Sequence, residues 1–240
     1  GLTNYITLFK DSKFYLSLGR TLLYTVCTLP FRVIIPLLVA VLLCSKRVAG
    51  KSLTRTMVYI PVLMSSLVVG ITINWMFSQE YGLVNFIIRS LGGTALEWSL
   101  NPRLATFVIA FASVWASIGF NMILYIGGIN SISNDLYEAA TIDGASGVQA
   151  FFRITVPMLA PTTFMVVLLS TVNLLKEYAL VQGITQGGPG LSTTFIIQYI
   201  FDKGFNQMQY GYASAISTVV MIIFALIAFA QFKVNNGGET

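Results

Sequence analysis

Histidine is absent from this 240-residue chain, cysteine occurs twice, and charged residues make up only 10% of it. The lack of imidazole argues against zinc binding and histidine-based catalysis, and no Ser/His/Asp, metal-ligand or Cys-Cys arrangement takes its place. Cys27 and Cys44 fall in one apolar stretch, too far apart along a helix to be bridged, and read as packing residues. The first 20 residues lack the apolar core of a signal peptide. Also missing is a basic patch interleaved with aromatics. The net charge of +5 and pI of 9.3 therefore read as an effect of anionic lipid and loop orientation rather than of nucleic acid. Gly50-Lys51-Ser52 has the end of a phosphate-binding loop, but Ser45 stands where its first glycine is required. No nucleotide site is expected in this chain.

What the chain has in quantity is hydrocarbon: 55% of its residues are hydrophobic and the mean hydropathy is +0.77. Five stretches can each cross about 30 Å of bilayer at about 1.5 Å per residue. They are Thr21 to Cys44, Met57 to Phe77, Leu104 to Ile126, Met158 to about Leu180, and Ala213 to Phe232. Continuous helices are the expected form, because an open strand would leave backbone polar groups unpaired in lipid. The fold class expected is an all-α polytopic membrane protein, one domain over 1–240. The basic cluster Lys46, Arg47, Lys51 and Arg55 places the loop after the first stretch on the cytoplasmic side. Five alternating crossings then put the loop after the third stretch on that same side, the amino terminus outside and the carboxyl terminus inside. Lys10, Lys13, Arg20, Arg89, Arg103 and Lys203 fall outside on this scheme and argue against it by charge alone.

The loop at about 128–157 is the most informative polar segment. Asp135 to Glu138 has capping-box spacing, which predicts a helix from about Asp135 to Asp143, with Gly144 as its left-handed stop. Ser146 is expected to cap a second helix through about Thr155, and Pro157 suits the first turn of the next span. Small Ala139, Ala140 and Ala145 permit close approach by another surface, and Glu138 and Asp143 offer charge to a basic one.

The loop at about 78–103 carries an amphipathic run from Leu83 to Leu91 and Trp98, which reads as an interfacial helix with an aromatic anchor. The loop at about 181–212 has a Gly-rich stretch ending in a Gly-Pro turn. Within the spans, a charge at mid-bilayer costs about 2.5–3.5 kcal/mol on insertion scales and so faces protein or water. Lys176 and Glu177, with Asn173, are candidates for a hydrated path, or for a snorkelling pair at a helix end. Ser113, Ser117 and Phe120 recur at i, i+4 and i+7 on one helical face, as a path or as a packing stripe. Arg32, beside Pro30, is expected to meet a partner subunit or a lipid headgroup.

Glu138-Ala139-Ala140, Gly144, Ile154 and Pro157 resemble the cytoplasmic loop of inner-membrane permeases of ATP-binding-cassette importers, Glu-Ala-Ala-x-x-x-Gly followed by Ile-x-Leu-Pro. Val156 stands in place of the Leu. The resemblance extends over nearly the whole chain. Gly187-Gly188-Pro189-Gly190, Thr193-Thr194 and Tyr210 to Ala215 are similar to the maltose, multiple-sugar and glycerol-phosphate branch. It implies a six-helix core of which this chain holds five helices, one more lying upstream. It also implies a coupling helix in which Glu138, Ala139, Ala140, Asp143, Gly144 and Ala145 meet an ATPase. The implied partners are a second homologous permease, two ATPase subunits that hold ATP and Mg, and an extracytoplasmic solute-binding protein. The implied cargo is a sugar, most readily an oligosaccharide, crossing the bacterial inner membrane unchanged. By position in such permeases, Ser66, Ser113, Ser117, Phe120, Asn173, Lys176, Glu177 and Tyr178 border the substrate path. A glycerol-phosphate or polyol cargo, an ion-coupled secondary transporter and a non-transporting scaffold stay open as alternatives; Glu177 is the sole acidic residue within a span.

Overall fold

The computed structural model describes residues 2–45 and 50–236. Lys46 and Arg47 of the basic cluster lie outside the described residues. Every regular element among those described is helical. In chain order they are α1 (Thr3–Phe9), α2 (Ser12–Cys44), α3 (Lys51–Leu63), α4 (Ser66–Met76), α5 (Leu83–Ser90), α6 (Pro102–Asn130) and α7 (Asn134–Ile142). There follow α8 (Gly147–Ala150), a π-helical turn at Phe151–Thr155, α9 (Val156–Met158), α10 (Ala160–Leu175), α11 (Ala179–Ile184) and α12 (Ile196–Phe201). A second π-helical turn, Asp202–Asn206, leads to α13 (Tyr210–Asn236).

Three helices, α2, α6 and α13, are by themselves long and apolar enough to cross a bilayer, and two bent pairs bring the number of candidate spans to five. The five expected stretches are all found, but two are not the continuous helices expected. The second is broken at Met64 and Ser65, where Ser65 turns extended before α4 begins. The fourth enters through α9, bends by 66° at Leu159 and ends at Leu175, short of the expected Leu180. Prolines at 157 and 161 flank that bend, and each removes a backbone donor from the helical ladder. By contrast α2 runs through Pro30 and Pro36 unbroken.

The chain divides into two compact units. The first comprises Gly1–Thr28, Met64–Ala116 and Thr171–Thr240. Its core holds Leu8, Phe14, Ile196, Tyr199, Ile216 and Val220. In it α4 and α11 approach to backbone contact: a Cβ on Gly70 would lie 3.0 Å from the Gly183 Cα, and one on Gly183 would lie 2.8 Å from the Leu67 carbonyl oxygen. Only hydrogen fits at this crossing, as in small-residue contacts between membrane helices. The second unit comprises Leu29–Leu63 and Ser117–Ser170. Its core gathers Ala40, Leu43, Met122, Tyr125, Ile126, Ile132, Leu159 and Val166.

The loop between α4 and α6 is built around one side chain. Asn85 is fully buried; its amide donates to the carbonyls of Gln79 and Leu96, and its Oδ1 accepts the Leu96 N–H and the Trp98 indole N–H, all at 3.0–3.1 Å. Trp98 is thus not the exposed interfacial anchor expected. Its ring is buried, edge-on to Phe77 at 5.0 Å, because its N–H finds a partner inside the loop. The amphipathic run is present as α5, with Leu83, Phe86 and Ile87 exposed.

Candidate functional site: the loop from Ser133 to Met158

Ser133, in extended conformation, begins α7, and its hydroxyl accepts the Asp135 N–H at 3.2 Å. The cap is therefore Ser133 and not Asp135. Both are short acceptors, and the residue whose backbone leaves the helix is the one that can turn back on it. Gly144 does stop the helix, at φ +77°. Its N–H reaches the Thr141 carbonyl at 3.1 Å and the next N–H, of Ala145, reaches Ala140 at 2.9 Å, the paired closure of a Schellman motif. Ser146 caps α8 as expected, and with Gln149 it forms a reciprocal capping box of 3.3 and 2.7 Å. The second helix turns π-helical at Phe151–Thr155 before reaching Pro157.

This gives a knuckle with two sides. At its root, the Tyr137 hydroxyl and the Thr155 hydroxyl are 2.9 Å apart, and Tyr137 and Ile154 pack on the core that holds Ile132 and Leu159. Outward, Glu138, Ala139, Asp143 and Gly144 are exposed, Ala140 and Ala145 half-buried, and neither α7 nor α8 buries a residue. Two residues absent from the sequence expectation stand out. Ile142 is 86% exposed and Val148 is 67% exposed. An isolated aliphatic side chain in a polar loop was the available signal for both.

The expected path residues fall in different settings. Ser66 opens α4 and is exposed. On α6, Ser113 is fully buried, Ser117 half-buried and Phe120 41% exposed, so the shared face does not give them a shared environment. Asn173 is exposed near the end of α10. Lys176, Glu177 and Tyr178 sit in the break between α10 and α11 rather than within a span, Lys176 exposed and the other two half-buried. The Tyr178 ring packs on Phe201 at 5.2 Å. Six of the eight, Ser66, Ser113, Asn173, Lys176, Glu177 and Tyr178, belong to the first unit; Ser117 and Phe120 belong to the second.

Arg32, expected at a partner or headgroup, is instead only 6% exposed within this chain. Nearby, the Asn121 amide donates to the Arg32 carbonyl at 2.9 Å and to the Ser170 hydroxyl at 3.2 Å, a buried polar clasp that no local sequence pattern announces. Among the described residues, no cluster of Cys, Asp or Glu could hold a metal ion.

A family described as the inner membrane component of binding-protein-dependent transport systems matches residues 6–236. The arabinooligosaccharides transport system permease protein of Bacillus subtilis is 32% identical over 98% of this chain and 75% of its own length. The trehalose/maltose transport system permease protein of Thermococcus litoralis is 32% identical over 98% of this chain and 79% of its own. In structure, the chain is similar to a bacterial ABC transporter involved in import of the acidic polysaccharide alginate. The TM-score is 0.89 at 24% identity, covering 98% of this chain and 83% of that one, which is a likeness of fold. A match over nearly its full length makes the chain a member of the binding-protein-dependent inner-membrane transport permeases.

Proposed function

We propose that this permease forms half of the translocation path of an ATP-driven saccharide importer, and that the knuckle at 133–158 is its mechanical input. The observation that carries this is the knuckle's construction: caps, the Gly144 closure and the Tyr137–Thr155 contact make it rigid, while its outer face is left to solvent. A rigid element rooted in a span core transmits a push; a floppy loop absorbs it. Saccharide as cargo is supported by relatives named for arabinooligosaccharides and for trehalose and maltose.

In this reading the partners are a second homologous permease, two ATPase subunits and an extracytoplasmic solute-binding protein. ATP and Mg reside on the ATPase, this chain having no phosphate-binding loop. Glu138 and Asp143 face basic side chains of the ATPase, and Ile142 fills an apolar recess beside Ala139. Closure of the ATPase pair draws two knuckles together and favours the outward-facing state; hydrolysis removes that preference, since a ligand shifts an equilibrium only by its differential affinity for two states. The knuckle then faces the cytoplasm, with the amino terminus of this chain outside and its carboxyl terminus inside. Ser66, Ser117, Phe120, Asn173, Lys176, Glu177 and Tyr178 remain path candidates. Those in the α10–α11 break have the support that interrupted helices leave backbone carbonyls and amides available to cargo. Ser113, fully buried, serves packing.

Uptake of labelled saccharide into proteoliposomes holding the assembled complex tests the proposal. Transport that needs ATP and the binding protein is expected. Transport that collapses with an ionophore instead would assign the chain to gradient coupling.

A further inference from the structure

A polar cleft of about 590 Å³ opens where α1 meets the start of α13, lined by Asn4, Thr7, Asp11, Lys203 and the stretch from Met208 to Tyr212. Its size is that of small-molecule sites, about 300–1,000 Å³. The floor is preorganised. Asp11 accepts the hydroxyls of Tyr199 and, at 2.6 Å, Tyr212, and its second oxygen accepts the Lys13 N–H at 2.9 Å. The Lys203 ammonium lies 5.5 Å from the Tyr199 ring centre and 5.9 Å from that of Tyr212, and donates to Gln207 at 2.9 Å.

The rim, in contrast, has hydrogen-bonding capacity that the fold leaves unused. Among the described residues, the side-chain amides of Asn4 and Gln209 make no hydrogen bond, and both line the cleft. The N–H groups of Tyr210 and Gly211, in the first turn of α13, have no helical acceptor by position. Asn4 is seated against Gly211, where a Cβ would come within 3.0 Å of its Nδ2. Met208, between these groups, adopts a left-handed φ of 56°, the kind of strained non-glycine conformation that concentrates at ligand clamps, and its sulfur accepts the Tyr210 hydroxyl at 3.0 Å. Lys203 and Asp11 offset each other in charge, so the cleft favours neither anion nor cation. What it offers is amide donors and acceptors interleaved with phenol and thioether surface. That matches a neutral polyhydroxylated ring, whose hydroxyls both donate and accept and whose C–H face is apolar.

We infer that this cleft is a saccharide subsite on the permease itself, holding one neutral sugar unit of the cargo apart from the path residues above. The inference rests on the saccharide reading. Asn4, Gln209 and the first N–H groups of α13 bind ring hydroxyls, Met208 and Tyr210 cover the apolar face, and the Asp11–Tyr199–Tyr212 cluster positions α1 as the opposite wall.

The test uses the assembled importer in nanodiscs, without its binding protein and with methionine methyls labelled in ¹³C; Met208→Leu identifies the Met208 resonance. Maltotriose and arabinotriose are titrated, with inorganic phosphate as control. The expected result is a saturable shift of the Met208 methyl with at least one trisaccharide, half-saturating on the order of 1–10 mM, a weak affinity suited to a half-open site. Phosphate leaves the signal in place, and Gln209→Trp, which projects an indole into the cleft from an exposed position, removes the response. A Met208 signal that stays still with both sugars, or moves equally with phosphate, overturns the subsite. The uptake assay separates the two claims: ATP-dependent saccharide uptake with a silent Met208 removes the subsite alone, whereas a responsive Met208 in vesicles that take up no saccharide removes the importer reading and leaves the binding site.

Discussion

Two polar loops of this chain, the one between α4 and α6 and the one between α6 and α10, are built on opposite plans. Between α4 and α6, the loop closes on its own interior: Asn85 makes four hydrogen bonds, to Gln79, Leu96 and Trp98, and Trp98 is buried beside it. Between α6 and α10, the loop buries nothing in α7 or α8, is fixed at its root by Tyr137, Ile154 and Thr155, and leaves Ile142 and Val148 exposed. A loop satisfied from within needs no partner to hold its shape. A rigid loop with unused apolar and acidic surface is shaped for one. Under the proposed function the first loop serves stability and the second transmission, and mutations should separate them.

The largest effect is expected from Gly144→Pro. Proline cannot adopt φ +77°, and its missing N–H also deletes the bond to Thr141, so the knuckle loses its closure. Uptake should fall more than about tenfold, on the order of 1.4 kcal/mol or more in coupling, while membrane insertion and complex assembly persist. Normal uptake would end the loop's assigned role. Asn85→Ala should act on the other property. It strands the buried Trp98 N–H and removes the bonds to Leu96 and Gln79, costing about 2–4 kcal/mol of unfolding stability; surviving complexes should keep their uptake per ATP. Thermal unfolding in nanodiscs beside an uptake assay reads both.

Ile142→Ala sharpens the contrast. At 86% exposure the side chain contributes little to folding, so stability should change by less than about 0.5 kcal/mol, yet uptake should drop severalfold with ATP hydrolysis poorly coupled to it. Equal loss of stability and uptake would make Ile142 a folding residue. Tyr137→Phe removes only the hydroxyl facing Thr155, worth about 0.5–1.5 kcal/mol, and should loosen coupling without abolishing it.

The smallest effect concerns pH. Partial burial alone would raise the Asp11 carboxyl, but hydrogen bonds from Tyr199, Tyr212 and the Lys13 and Phe14 N–H groups outweigh it and hold the group below the ordinary carboxylate range. Burial first, and then the hydrogen bond and charge of Asp11, push the Tyr199 phenol upward, so it stays protonated as the donor. With a depressed folded value, Asp11 contributes stability that is whole above the unfolded carboxylate value of about 4 and fades as pH drops through the lower folded one. Acid unfolding curves of the parent and of Asp11→Asn should therefore diverge above about pH 4 and converge below it.

Sequence patterns carried the apolar stretches, the Gly144 stop and the Ser146 cap, because each is a local signal of composition or spacing. The broken second and fourth stretches were hidden for a physical reason: hydrophobicity reports what a residue faces, not whether its helix is continuous. Tertiary partnerships left no trace either. Tyr199 and Tyr212 meet Asp11 across 188 and 201 positions, and Trp98 turned inward because Asn85 offered an acceptor. Ser133 outcompeted Asp135 as the cap through backbone direction, which side-chain type does not encode.

Contact between the knuckle and the ATPase is read by a site-directed crosslink in the assembled, membrane-embedded importer. With the exposed native Cys27 replaced by Ser, a cysteine placed at Ala139 on the knuckle's outer face should crosslink to the ATPase subunit, and one at Phe86 on α5 should not. Crosslinking of Ala139→Cys that changes in yield with bound ATP is the result expected of a moving coupling element. A knuckle that crosslinks to no ATPase in any nucleotide state would remove its coupling role.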